Sequence, residues 1–160
     1  CFRAEDPRPV IGLCWRSSLR SSEIDHYFVS IEGMAPILKL PGARFVNLQY
    51  DDCEAELAHA EAALGVEIIR PQGINLRNDL DDVAALISEL DLVISTSTSV
   101  LAMSGAIGVP AIGLFLKRDW TFLGQPSQPW YPSVTPVIKG ANRTWAETIE
   151  AAAEITREHL

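Results

Sequence analysis

The stretch "DLVISTSTSV", residues 91–100, decides how this chain is read. Leu92, Val93 and Ile94 form an apolar run that hands over to Ser95, Thr96, Ser97, Thr98 and Ser99, hydroxyl residues with no charge among them. The chain then turns apolar again as "VLAMSGAIGVP" (100–110). A short apolar run followed by such a junction is the pattern of a buried strand feeding a helix. The expected unit is a strand over 91–96 and a helix over 98–108, with the hydroxyls between them.

Working outward, the same alternation recurs. "PVIGLCW" (9–15) reads as a buried strand, "SIEGMAPILKL" (30–40) has helical spacing around Pro36, and "ARFVNLQY" (43–50) alternates as a second strand. "DCEAELAHAEAALG" (52–65) is an Ala-rich helix, with Asp52 as its expected N-cap and Gly65 as its stop. "VEIIR" (66–70) follows as a strand and "DLDDVAALISEL" (79–90) as a helix with acidic residues at its positive end. "PAIGLFL" (110–116), a long loop over 117–133, "TPVIK" (135–139) and a helix over 144–160 complete the pattern. Thr144 and Glu147 have the spacing of a capping box. Near-continuous apolar strands alternating with helices predict a Rossmann-like, doubly wound parallel sheet of about six strands, an α/β domain covering 1–160.

Composition narrows the function classes. A chain of 160 residues fits one domain, which buries about 70% of its unfolded surface. The net charge of −8 argues against general nucleic-acid binding, but a small anion can still be held by local dipoles and one or two arginines. No apolar run approaches the ~20 residues that span a bilayer, so membrane insertion is not expected, and the start lacks a signal-peptide pattern. The chain opens on Cys1 rather than Met, which leaves room for a partner domain outside it. Cys1, Cys14 and Cys53 form no CxxC pair, and Cys14 reads as a small core residue. Their low number fits a reducing compartment, hence a cytoplasmic location. His26, His59 and His159 have no metal-ligand spacing with them, so no metal is expected.

In open α/β sheets, ligands sit at the carboxyl ends of the strands near the topological switch point. There Ser97, Thr98 and Ser99 meet the first turn of a helix, whose unsatisfied N–H groups and adjacent hydroxyls make an anion site. The alternative is that Ser97 or Thr98 merely caps the helix. Ala102, Ser104 and Gly105 keep this helix slim enough for close packing on the sheet. Arg16, Ser17 and Arg20 follow the first strand at the same edge, where a guanidinium suits a diphosphate. Gln49, at the end of the second strand, either reaches a ligand or bonds the loop backbone. Asp79 and Asp82 read as helix-end acids before ribose contacts. Trp120, Trp130 and Tyr131 either wall a cleft or, the favoured reading, anchor the long loop on the core. His26 and Tyr27 have no evident partner, and no catalytic base can be named.

These residues carry a resemblance. "LDLVISTSTSVLAMSGAIGVPAIGLF", the preceding "NDLDDVAALISE", "KRDWTFLGQPSQPWYPSV", "GLCWRSS" and "FVNLQYDD" together resemble the C-terminal half of bacterial glycosyltransferases related to the heptosyltransferase family, in particular versions fused to tetratricopeptide repeats. The resemblance runs in order along essentially the whole chain. It implies a GT-B glycosyltransferase, in which two Rossmann-like domains face each other across a cleft. The C-terminal one holds a nucleotide-sugar donor without a metal, and the N-terminal half of the same protein supplies much of the acceptor site and commonly the base. Where many members read "DLVITVDTSVAHLAGALG", the family's Asp falls on Ser97 and its His on Ala102, while Thr98, Gly105 and Gly108 are retained. Three functions follow as alternatives: a donor-binding domain, with Arg16, Ser17, Gln49, Ser97, Thr98 and Ser99 around the diphosphate; a non-catalytic module used for docking or sensing; and a dinucleotide-dependent oxidoreductase. The last is weakest, because "GLCWRSS" lacks the glycines of a GxGxxG turn.

Overall fold

Val10–Cys14 (β1) is buried at every position, as a strand with helices on both sides must be. The computed structural model describes residues 6–19 and 25–160, so Cys1 and Arg20 lie outside the described residues. Arg44–Asn47 (β2), Ile68–Ile69 (β3), Leu92–Thr96 (β4), Ala111–Phe115 (β5) and Val134–Ile138 (β6) join β1 in one sheet, ordered β3-β2-β1-β4-β5-β6. Every pairing is parallel. The Rossmann-like sheet of six strands is therefore as expected, and its direction of winding reverses between β1 and β4.

Among the described residues, Ala35–Leu38 (α1), Glu54–Leu64 (α2), Leu80–Ser88 (α3), Ser99–Ala106 (α4) and Trp145–Arg157 (α5) are α-helices that cover the sheet. The two-residue period of the strands divides the apolar side chains between its faces. Ile11, Leu13, Leu92, Ile94, Ile112 and Leu114 pack with Ile37 of α1, Leu57 of α2 and Ile149 of α5. Val10, Cys14, Val93, Ala111 and Phe115 pack with Val83 of α3 and Val100 of α4 on the other side. Both sheet edges are blunt: β3 has two residues, and β6 carries Pro136, which an edge strand tolerates.

Element ends differ in detail from the sequence reading. The helix expected over 30–40 is a 3-10 turn, Glu32–Met34, running into the single turn of α1, with Pro36 in the first positions where its missing N–H loses nothing. Asp52 is not the N-cap of α2; Cys53 is, and the Asp52 carboxylate accepts only a long bond of 3.4 Å from Glu54 N. Gly65 does end that helix, at φ 68°, a left-handed value that glycine adopts without penalty. The capping box closes as expected, with Glu147 N donating to Thr144 Oγ1 at 3.2 Å and Thr144 N to the Glu147 carboxylate at 2.7 Å.

The β5–β6 crossover is a loop, 117–133, containing only a 3-10 turn at Trp120–Phe122. Its anchor is Phe122, which is fully buried and meets Phe115 edge-on with ring centroids 5.0 Å apart. Trp120 and Trp130, expected to anchor the loop, are instead 79% and 57% exposed. Tyr131 packs against α4: a Cβ on Gly105 would stand 2.5 Å from Tyr131 Cγ, closer than carbon atoms approach. The slimness of α4 thus admits the loop at Gly105. Exchanging Gly105 for alanine is expected to push Tyr131 off the helix and cost about 1–3 kcal/mol, read as a lower midpoint in urea denaturation. An unchanged midpoint would mean that the loop is not seated on α4.

Candidate functional site

The β1 and β4 chains leave the sheet in opposite directions, and the crevice between their carboxyl ends is where the sequence placed a ligand. Ser95 Oγ, fully buried at the end of β4, donates to Thr96 O at 2.8 Å and lies 3.0 Å from Thr98 Oγ1. Cys14 Sγ lies 3.5 Å from that same Thr98 hydroxyl. Thr98 therefore stands at the N-cap of α4, in extended backbone conformation, with its side chain turned to β1 and β4 and making no cap bond. No side chain caps the first turn of α4, which starts beside the exposed Ser97 and Ser99. Capping, the alternative reading of Thr98, is not what its hydroxyl does.

Arg16 is placed differently from a ligand-holding arginine. Its guanidinium is buried against Asp51 and Glu56, donating to Asp51 Oδ2, to Glu56 Oε1 at 2.6 Å and to Glu56 Oε2 at 3.2 Å. Burial works against its charge, but the hydrogen bonds and charges of Glu56 and Asp51 outweigh it and hold the group above its ordinary range. Trp15 Nε1 donates to the same Glu56 carboxylate at 2.9 Å. Gln49, 1% exposed, is a brace: its Oε1 accepts from Trp15 N and Arg16 N, both at 3.2 Å, and its Nε2 donates to Arg16 O at 3.0 Å and Asp51 Oδ1 at 2.7 Å. Of its two readings, Gln49 takes the second and bonds the loop backbone. Asp79 stands at the N-cap position of α3 without a side-chain cap bond, its carboxylate accepting instead from Asn75 N at 2.9 Å, while Asp82 sits exposed in the first turn; neither borders the crevice cavities described below.

Among the described residues, two adjoining cavities open along the carboxyl edge. One, of about 450 Å³, lies between Ser17 and Tyr27 on the β1 side and Ser97, Lys117, Asp119 and Trp120 on the other. The second, of about 360 Å³, runs from Ser97 and Thr98 under the 117–133 loop and is lined by Leu101, Ala102 and aromatic side chains. Ser97, Phe115 and Trp120 border both, so the two adjoin. Lys117 is the residue that sequence reasoning missed. It is the first residue past the expected strand 110–116, and the carboxyl-edge rule applied to β5 finds it. Gln128, on the second cavity, had no sequence signal.

Burial pushes the Cys14 thiol up to about 11 from an ordinary 9.0. Burial, followed by the charge of Asp51, does the same to Cys53, also to about 11. Because the folded state holds these protons more tightly than the unfolded state, stability contributed by them falls as pH rises through that interval. At pH 8 iodoacetamide is expected to leave both thiols unmodified in the folded protein and to modify both in urea, read by peptide mass spectrometry; labelling of Cys14 without urea would contradict its burial. Among the described residues, no group of three or more His, Cys, Asp or Glu side chains is placed to hold a metal ion. No helix among them is long and apolar enough to cross a membrane.

With this geometry in hand, the relationships are clear at the level of fold. The chain superposes on one half of the E. coli ADP-heptose LPS heptosyltransferase II with a TM-score of 0.62, covering 96% of this chain and 48% of that one at 16% identity. A glycosyl transferase family 9 structure from Veillonella parvula matches with a TM-score of 0.57, covering 98% and 41% at 14% identity. The domain thus has the Rossmann-like fold found in half of a GT-B glycosyltransferase. In sequence it is similar to the protein FlbA of Caulobacter vibrioides, 43% identical over 152 residues, which is 95% of this chain and 26% of FlbA. The chain spans about a quarter of that curated relative and under half of each solved chain. No family model matches it.

Proposed function

We propose that this chain is the donor-binding domain of a metal-independent glycosyltransferase, which holds a nucleotide-sugar by its diphosphate at the β1–β4 crevice. The observation that carries the reading is Ser97, exposed just before the start of α4, where no side chain caps the helix, and bordering the same cavity as Ser17 and Lys117. Backbone N–H groups, the positive end of the helix dipole and an ammonium supply the field an anion needs. Thr98 shapes the floor from below. Arg16 and Gln49 support the β1 loop that carries Ser17, and act on the donor only through it. In transfer, an acceptor oxygen forms a bond to the anomeric carbon while the bond from that carbon to the diphosphate oxygen breaks. The electron pair leaves with the nucleoside diphosphate, and a base takes the acceptor's proton. This domain's part is to stabilise the departing diphosphate. The acceptor, and that base, belong to the N-terminal half of the same protein, with tetratricopeptide repeats as a further segment in the relatives that the sequence resembles. A cytoplasmic location accords with a cytosolic nucleotide-sugar supply.

The test is a thermal-shift titration of the full-length protein with UDP, GDP, ADP, CDP and dTDP. One of them is expected to raise Tm selectively, by the equivalent of about 2.7 kcal/mol at a hundred times Kd. Lys117→Ala should weaken that nucleotide about tenfold, or about 1.4 kcal/mol. A second reading, a module that keeps the fold without transfer, is favoured by Arg16 being committed to Asp51 and Glu56 and by Ser97 and Ala102 standing where the resembled family has Asp and His. Failure of all five nucleotides to bind would select it.

A further inference from the structure

The cations of this acidic chain are unevenly placed. Arg8, Arg16, Arg44, Arg70 and Arg157 each lie against a carboxylate. Lys39 and Arg77 apart, the lysines and arginines that no carboxylate pairs among the described residues follow β5 or β6 at the carboxyl edge: Lys117, Arg118, Lys139 and Arg143. The two connections run side by side, Lys139 N donating to Phe115 O at 2.8 Å and Gly140 N to Leu116 O at 2.9 Å. Carboxylates close in sequence are engaged elsewhere. Asp119 accepts from Thr121 N and Thr121 Oγ1, and Glu147 closes the capping box, where Arg143 adds only its field. Beside these cations the loop exposes Trp120, Leu123 and Trp130, by 79%, 59% and 57%, although Phe122 alone already fixes the loop on the core. Leu123 is moreover held at φ 48°, the one positive φ outside glycine among the described residues. A leucine adopts that left-handed conformation at a cost, and no burial of its side chain offsets it. Strain spent on presenting an apolar side chain to water points to a contact outside the domain. Pro126, Pro129 and Pro132 restrict the rest of the loop, so ordering it on contact loses little entropy.

We infer that Trp120, Leu123 and Trp130, rimmed by Arg118, Lys139 and Arg143, form a docking surface for an acidic polypeptide segment of another protein, one with Asp or Glu on either side of an apolar side chain. Lys117 is left to the crevice, and the inference stands whether or not that crevice holds a nucleotide. Tryptophan and arginine are the residues that most often carry the binding energy between proteins, and opposite charge around them selects and orients the partner. An anionic lipid surface fits less well. The net charge of −8 repels it as a whole, whereas a narrow acidic segment meets only the local cations, within a Debye length of about 8 Å.

The test measures binding of the full-length protein to three probes by biolayer interferometry: a glutamate–tyrosine copolymer, polyglutamate, and vesicles of phosphatidylcholine with phosphatidylserine. The copolymer is expected to bind best, and more weakly as salt rises from about 0.05 to about 0.2 M. Reversing two rim charges together, Arg118→Glu with Arg143→Glu, should weaken it at least about tenfold. Trp120→Ala should weaken the copolymer by about tenfold and leave the weaker binding of polyglutamate unchanged, since only the copolymer offers a side chain to the indole. All three residues are exposed, and an unchanged Tm in each variant ties the loss to the surface. Absence of copolymer binding would overturn the inference, whether the face is then covered by the rest of the full-length chain or has no acidic partner. Copolymer binding that neither variant alters would overturn it too. Preference for the phosphatidylserine vesicles, lost with the same two arginines, would assign the face to a lipid surface instead.

Discussion

Replacing Phe122 with alanine is expected to destabilise the domain by about 3–5 kcal/mol, the largest loss from any single truncation in the 117–133 loop. The ring is fully buried and packs edge-on against Phe115 of β5, so its removal leaves a void in the core on the α3–α4 side as well as a detached loop. For a chain of this size each kcal/mol is worth roughly 2–4 °C in Tm, which makes the loss measurable by calorimetry. The paired control is Trp120→Ala, expected within about 0.5 kcal/mol of the unaltered protein because the indole is 79% exposed. The reverse order of effects would mean that the tryptophan holds the loop. Because the loop borders both cavities, Phe122→Ala should also weaken the ligand whose binding defines the site.

The second large effect is at Arg16. Its side chain is 6% exposed between Asp51 and Glu56, which are 18% and 36% exposed. Deleting one partner of a fully buried pair costs about 3–5 kcal/mol, because the remaining charge is stranded. Here water reaches Glu56 and screens part of that penalty, so Arg16→Ala is expected to cost about 2–3 kcal/mol, read from the urea midpoint. Arg16→Lys should recover only part of it, since a single ammonium cannot reproduce the forked bonds to two carboxylates. If Arg16→Ala instead left the midpoint alone and abolished nucleotide binding, the guanidinium would be a ligand group after all.

The contrast between these two positions marks how far the sequence can be read. Strand β4 and its hydroxyl junction were legible because a run such as Leu92-Val93-Ile94 is buried whatever surrounds it, and because the carboxyl edge of a parallel sheet is where chains diverge. The same rule located Ser17 and Ser97 at one crevice. It placed Arg16 there too, correctly in position but without its partners: Asp51 and Glu56 lie 35 and 40 residues further on. Distance along the chain says nothing about whether a guanidinium faces water or two carboxylates. The tryptophans failed for a related reason. "DWTF" contains two aromatic residues two positions apart, and only the seat that Phe115 offers decides which one is buried.

Local pattern and composition alone therefore determined the class of fold, the order of strands and helices and the capping box at Thr144, because these follow from period, propensity and chain direction. Only the tertiary structure decided that Arg16 and Gln49 brace the β1 loop, that Gly105 makes room for Tyr131, and that Gln128 is left with an unpartnered oxygen beside two exposed indoles. Each of those depends on which distant side chain arrives first at a hydrogen bond or a van der Waals contact, and that competition is settled by packing in three dimensions.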